Sequence, residues 1–137
     1  MSTRRVLSVV AGVSLVYDLS AGVLLLAATD RMARWFGVPV PDPVIFAKLN
    51  GLFLTAVGIG YVLPLFNPVR YRAYLWIFGP LLKGAGAITF IVDHFVHASP
   101  ASFLLFAVTD GALAVATFAA LMRRELPIET QNSKLRT

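Results

Sequence analysis

Four long apolar stretches, separated by short polar segments, dominate the pattern of this chain. They run roughly over residues 6–29, 44–66, 71–92 and 101–122. Each is close to the ~20 residues that a helix needs to cross ~30 Å of hydrocarbon at ~1.5 Å per residue. The pattern therefore predicts an all-α protein, an integral membrane four-helix bundle over residues 1–122, with a polar cytoplasmic tail over residues 123–137.

The first apolar stretch shares features with a secretory signal, because Arg4 and Arg5 precede it. The apolar region of a signal peptide is typically ~7 to 15 residues long. This stretch is longer than twenty residues and carries Asp18 near its middle. We therefore predict that it is a helix of the mature protein.

Composition supports a membrane protein and excludes several kinds of chemistry. The chain is 58% hydrophobic and 14% charged, with a mean hydropathy of +0.76, outside the usual balance of soluble domains. It has no cysteine, which excludes disulfides, thiolate metal sites and cysteine nucleophiles. The motifs GxGxxG, GxxxxGK[ST], GxSxG and HExxH are absent from the sequence, so nucleotide-driven transport and standard hydrolase chemistry lack their residues.

The basic residues indicate the orientation, since Lys and Arg near span ends are retained on the cytoplasmic side. If four spans alternate, Arg31, Arg34 and Lys48 fall at one end of the bundle. The other end receives Arg4, Arg5, Arg70, Arg72, Arg123, Arg124, Lys134 and Arg136. We therefore predict that both termini are cytoplasmic, in a multi-pass protein of the cell membrane (the inner membrane if the source is bacterial). The formal net charge of +5 then reflects topology and contact with membrane lipids rather than nucleic acid.

The connections carry two further expectations. Aromatic residues at span ends predict interfacial anchors at Trp35, Phe36, Tyr71, Tyr74 and Trp76. Residues 30–37 predict a short helix in the headgroup plane, with a binding lid as the alternative, before a proline-rich return to the second span. The cluster Asp93, His94 and His97 is interpreted as a solvated helix end, and we expect neither a metal nor a cofactor.

Three charged residues lie inside the apolar stretches at nearly one depth. Asp18 and Lys83 each lie twelve residues into their spans, or ~18 Å from the cytoplasmic boundary. Asp110, nine residues into a descending span, lies ~16.5 Å from the same boundary of a ~30 Å core. Each charge costs roughly 2.5 to 3.5 kcal/mol at a helix centre, so we predict that the three pair inside the bundle.

Other residues are expected to support this charge layer. Small residues on the first and second helices predict close packing there, at Ala11, Ser14, Ala21, Gly22, Gly51, Thr55 and Gly58. Thr117 shares a helical face with Asp110, and Asn50 lies about a turn external to the layer. Tyr17 is a further polar candidate, and Pro80 predicts a kink one turn before Lys83.

Two acids against one base leave an excess negative charge in a low dielectric. We expect one carboxyl to carry a proton at neutral pH unless a cation or a water-filled cavity intervenes. A titratable site and a purely structural bridge by Lys83 both remain open at this point.

Several motifs resemble those of the small bacterial DoxX-like membrane proteins. They are the run Arg34-Trp35-Phe36-Gly37-Val38-Pro39, the proline-rich link after it, the glycine-spaced second helix, and Asn67-Pro68 with Arg70 and Arg72. The resemblance implies a four-helix integral membrane protein, often uncharacterised or associated as a small subunit with membrane redox systems. It implies no role for any individual residue.

The sequence leaves three hypotheses for function. The leading one is a non-enzymatic accessory or assembly protein that contacts other membrane subunits, or a second copy of itself, through exposed helix faces. The second is a small carrier or channel-like protein that binds a proton, an ion or a lipid-soluble ligand at the midplane. The third is a membrane-embedded lipid isomerase or reductase, which only the carboxylates and Tyr17 favour.

Overall fold

A computed structural model describes residues 2–123, and all regular structure within that range is helical. The helices are α1 Thr3–Ala27, α2 Thr29–Phe36, α3 Ile45–Gly60, α4 Val62–Phe66, α5 Arg72–Trp76, α6 Gly84–His97 and α7 Leu104–Met122. A π-helix, Ile77–Lys83, joins α5 to α6, and a 3-10 turn, Ala101–Phe103, precedes α7. The predicted polar tail lies outside the described residues beyond Arg123.

Four continuous helices are long and apolar enough to cross a membrane, which confirms the predicted all-helical class. We name them span 1 (Thr3–Ala27), span 2 (Ile45–Phe66), span 3 (Arg72–His97) and span 4 (Ala101–Met122). Span 3 continues past its predicted end at residue 92. Span 1 ends earlier than predicted, because the chain bends at Ala28 before α2 begins.

Spans 1 and 2 approach each other closely through glycine. A Cβ atom on Gly22 would lie 2.6 Å from the backbone nitrogen of Thr55, and one on Gly58 would lie 2.7 Å from that of Leu19. The small faces predicted on these two helices therefore face each other. Only residues without a larger side chain allow the backbones this separation.

The end of the bundle that holds Ser2 and Arg123 has a closed core. Its buried residues are Leu7, Ala11, Val57, Tyr61, Leu75, Ala120 and Leu121. Tyr74 donates a hydrogen bond to the Val57 carbonyl at 2.6 Å and packs edge-on against Tyr61. Tyr74 is thus partly buried between spans 2 and 3, which corrects its prediction as an interfacial anchor. The Arg72 guanidinium donates to the Leu121 carbonyl and ties span 3 to span 4.

The short helix α2 lies across the opposite end of the bundle. Its buried residues are Thr29, Met32 and Ala33, and Gly37 caps its end with a φ of 69°, a left-handed conformation that favours glycine. Trp35 is 63% exposed, as expected of an interfacial anchor. Phe36 instead points inward and stacks on Phe106 at 4.8 Å between ring centroids, so its prediction as an anchor is wrong.

Span 3 departs from α-helical geometry where the sequence predicts a kink. Pro80 lacks an N–H, and its ring would clash with the carbonyl four residues earlier in a regular helix. The helix adopts wider π-type turns over Ile77–Lys83, which accommodates the proline without ending the span. Lys83 is the last residue of this segment.

Candidate functional site

Lys83 lies between two carboxylates that come from two other spans. Its Nζ atom is 2.6 Å from Oδ1 of Asp18 on span 1 and 3.2 Å from Oδ1 of Asp110 on span 4. The side chains of Lys83 and Asp18 are 5% and 3% exposed, whereas that of Asp110 is 16% exposed. The structure therefore brings together the three charged residues that the sequence singled out, with Asp18 as the tighter partner.

Tyr17 borders the same network. Its ring centroid is 4.9 Å from Lys83 Nζ, a cation–π contact. Its hydroxyl lies 2.8 Å from Oγ1 of Thr109, which itself donates to the Leu105 carbonyl at 2.9 Å. Because the single hydroxyl proton of Thr109 is already engaged, Tyr17 is the donor in this pair.

A cavity of about 500 Å³ extends from the charged network towards α2. All four spans contribute to its wall, and α2 covers it. Most of the wall is apolar. Its polar and charged members are Tyr17, Asp18, Thr29, Asn50, Lys83 and Asp110.

Phenylalanines form much of the wall away from the charges. Phe106 stacks on Phe36 at 4.8 Å and on Phe90 at 5.5 Å, and Phe103 stacks on Phe36 at 5.7 Å. The hydroxyl of Ser102 donates to the Phe36 carbonyl at 2.7 Å, which holds α2 against span 4. Sequence reasoning missed this aromatic wall, because phenylalanine does not stand out within an apolar span.

Three buried oxygen atoms near the network make no hydrogen bond of regular geometry among the described residues, although the hydroxyls of Ser14 and Tyr61 interact with each other. They are Oδ2 of Asp18, Oγ of Ser14 and the hydroxyl of Tyr61. Ser14 is one helical turn from Asp18 on the same face of span 1. Tyr61 was not predicted as a site residue. Its position at the junction of α3 and α4 follows from packing between spans that sequence periodicity does not report.

The supporting residues divide into two groups. Tyr17 and Asn50 line the cavity. Pro80 lines a separate apolar groove on the outer surface of spans 3 and 4. Thr117 donates to the Leu113 carbonyl at 2.7 Å and packs on Gly79, so it lies away from the cavity.

The histidine cluster makes local contacts at the end of α6. Nδ1 of His97 is 2.8 Å from Asp93, and Nδ1 of His94 is 2.7 Å from the Ser99 carbonyl. Across residues 2–123, no group of histidines and carboxylates is arranged to hold a metal ion.

No family model, curated protein or solved structure matches this chain. The resemblance to DoxX-like proteins therefore stays a prediction from the sequence motifs.

Proposed function

We propose that this protein binds a lipid-soluble molecule in its cavity and acts as a small membrane binding protein or carrier. The observation that carries the proposal is the cavity itself, an apolar chamber of about 500 Å³ with Asp18, Lys83 and Asp110 at one end. Small-molecule sites typically have volumes of ~300 to 1,000 Å³ and combine apolar walls with a few convergent polar groups.

The wall of the cavity suits a ligand that arrives from lipid. Phe46 and Phe53 of α3 line the cavity and remain 68% and 47% exposed, so apolar surface continues from the cavity to the outer face of span 2. Spans 2 and 3 pack at Tyr74 and separate towards α2, where the cavity lies between them. A hydrophobic molecule would reach the charged network without crossing bulk water.

The proposal places the protein in a cell membrane with both termini cytoplasmic. Supporting it, the exposed basic residues at the end distant from α2 are Arg4, Arg5, Arg70, Arg72 and Arg123. Charges of both signs occur at the α2 end, where Asp30 pairs with Arg34 at 3.1 Å. This asymmetry follows the positive-inside rule and directs the covered side of the cavity outward.

The accessory or assembly role is a second candidate, favoured by a different surface. The outer groove beside the π-helix is lined by Trp76, Ile77, Pro80, Leu81, Ala114, Val115 and Phe118. A span of another membrane subunit, such as one of a membrane redox system, would pack its side chains there. This role does not require a ligand in the cavity.

Photolabelling tests the first proposal. A neutral aromatic alcohol that carries a diazirine is added to the protein in mild detergent, and labelled residues are identified by mass spectrometry. We expect saturable labelling of the cavity wall that the unlabelled alcohol competes away. Ala47→Trp, which fills the cavity, should reduce this labelling at least about tenfold, the equivalent of ~1.4 kcal/mol of lost affinity.

Ala56→Trp supplies the matched control, because Ala56 lies on the same helix but is exposed and outside the cavity wall. This variant should label like the original protein. Equal labelling of the two tryptophan variants, or labelling confined to outer helix faces, would contradict the proposal and leave the assembly role as the better account.

A further inference from the structure

We infer that the cavity selects a lipophilic organic cation, which it binds in exchange for a proton held by Asp110. This inference rests on the proposed ligand-binding function and names the class of ligand. The network at the end of the cavity contains two carboxylates and one ammonium group. Lys83 is the one cationic residue among the described residues that line the cavity.

The geometry distinguishes the two acids. Asp18 is nearly fully buried and contacts Lys83 at 2.6 Å, so the charge of Lys83 is committed to Asp18 first. Asp110 makes the longer contact, at 3.2 Å, and is the more exposed of the two. A Cβ atom on Gly86, a residue of the cavity wall, would lie 3.7 Å from Asp110 Oδ2. Asp110 itself lines the cavity and is 16% exposed, so its carboxylate is accessible from the cavity side.

No other described charge compensates Asp110. The remaining titratable groups around the network are Tyr17 on span 1, Tyr61 on span 2 and Tyr74 on span 3, all of which are uncharged when protonated. On α2, the charged side chains are exposed and directed away from the cavity: Asp30, Arg31 and Arg34. The network therefore carries one excess negative charge. In a low dielectric, the Asp110 carboxylate must bind either a proton or another cation to neutralise it.

The walls of the cavity favour a second cation, rather than a proton, as the partner of Asp110. Phe36, Phe90, Phe103 and Phe106 line one part of the chamber, and aromatic rings attract cations at up to ~2 kcal/mol when water is excluded. A small hydrated metal ion would lose water in this chamber, and the phenylalanine part of the wall offers it no oxygen ligands in return. An organic cation with an apolar body loses little hydration and buries its hydrophobic groups. On binding, the proton of Asp110 leaves to water, and the cation takes its place beside the carboxylate.

Calorimetry with two probes of equal shape tests the inference. Tetraphenylphosphonium is the cation and tetraphenylborate is the matched anion. We expect the phosphonium to bind and to release about one proton, measured by repeating the titration in buffers of different ionisation enthalpy. Its affinity should rise with pH, up to about tenfold per pH unit while Asp110 holds the proton, because the two compete for one site. The borate should bind at least about tenfold more weakly.

Variants locate the exchange site. Asp110→Asn should abolish proton release and weaken phosphonium binding at least about tenfold, whereas Asp93→Asn, at an exposed carboxyl on α6, should change neither. If Asp110→Asn does not fold, the pH dependence and the two-probe comparison in the original protein still decide the question. Equal binding of both probes, or phosphonium binding without proton release, would overturn the inference while the neutral photolabel still reports on the cavity. Failure of that photolabel as well would overturn the proposed function itself.

Discussion

At the scale of single residues, the central feature is a lysine that bridges two acids from different helices. An unpaired charge at a helix centre costs roughly 2.5 to 3.5 kcal/mol, so three charges are retained only if they offset one another. Lys83 does so through contacts of 2.6 and 3.2 Å. Removing one member of a buried ion network is more costly than removing all of them, because it leaves an uncompensated charge.

Lys83→Met should therefore destabilise the protein by about 3 kcal/mol. The cost should grow as the pH rises, since Asp18 and Asp110 must then both take up protons to remain in the bundle. The measurement is equilibrium unfolding by SDS in mixed micelles at several pH values.

The matched control for Lys83→Met is the triple variant Lys83→Met/Asp18→Asn/Asp110→Asn. It should unfold with a smaller loss of stability and with little pH dependence. A triple variant as unstable as the single one would show that the network contributes through packing rather than through charge.

The sequence allowed these three residues to be located because charge contrasts sharply with an apolar background. Helical rise alone then placed Asp18, Lys83 and Asp110 at one depth. The aromatic wall could not be found in this way, because Phe90 and Phe106 are apolar like their outward-facing neighbours. Which face of a span points inward depends on packing between helices, and the rotation of span 3 depends on the π-helix before Lys83.

At the scale of helices, the contact between spans 1 and 2 depends on the absence of side chains. Gly22→Ala would place a methyl group 2.6 Å from the Thr55 nitrogen and 2.8 Å from the Gly51 carbonyl oxygen. Because these contacts involve backbone atoms, the two helices must shift apart, so we expect a loss of ~1 to 3 kcal/mol, measured by the same SDS unfolding.

Gly111→Ala adds the same methyl group where the contact is ordinary, at 3.6 Å from Ala87 Cβ. It should leave stability unchanged or raise it by up to ~1 kcal/mol through helix propensity. Equal losses in the two alanine variants would mean that the glycines matter for backbone flexibility and not for close approach.

The pKa of Asp30, on the covering helix α2, gives a separate prediction about the effect of pH. The backbone N–H of Arg31 donates to the Asp30 carboxylate, and Arg34 pairs with it, which together hold the pKa of Asp30 below its ordinary value of 3.8. A lowered pKa means that this contribution to α2 is present above pH ~3.8 and is lost as the pH falls through the folded-state pKa.

An NMR titration of the Asp30 carboxyl carbon in detergent should give a midpoint below 3.8. About 1 M salt should raise that midpoint only partly, because salt screens the exposed ion pair more than the backbone hydrogen bond. A midpoint at or above 3.8 would show that neither contact persists in solution.

At the scale of the whole molecule, the bundle has a closed core at one end, whereas at the other end spans 1 and 2 stay in contact and a cavity opens between the spans. Leu7, Tyr61, Leu75 and Leu121 fill the closed end, whereas α2 and the cavity occupy the open one. Hydropathy predicts the number of spans but not this asymmetry, which depends on how the side chains of different spans pack against one another. The same asymmetry makes the direction of insertion matter, since only one side of the membrane faces the covered cavity.

Cysteine labelling tests that direction cleanly, because the chain has no cysteine of its own. Val40→Cys lies in the connection after α2 and Val69→Cys in the turn between spans 2 and 3, and the two valines are 46% and 58% exposed. The basic residues beside Val69 should hold its turn in the cytoplasm. In intact cells, a membrane-impermeant maleimide should therefore label Val40→Cys at once and Val69→Cys only after permeabilisation. The reversed result would invert the orientation and place the cavity against the cytoplasm, and labelling of both in intact cells would contradict the alternation of four spans.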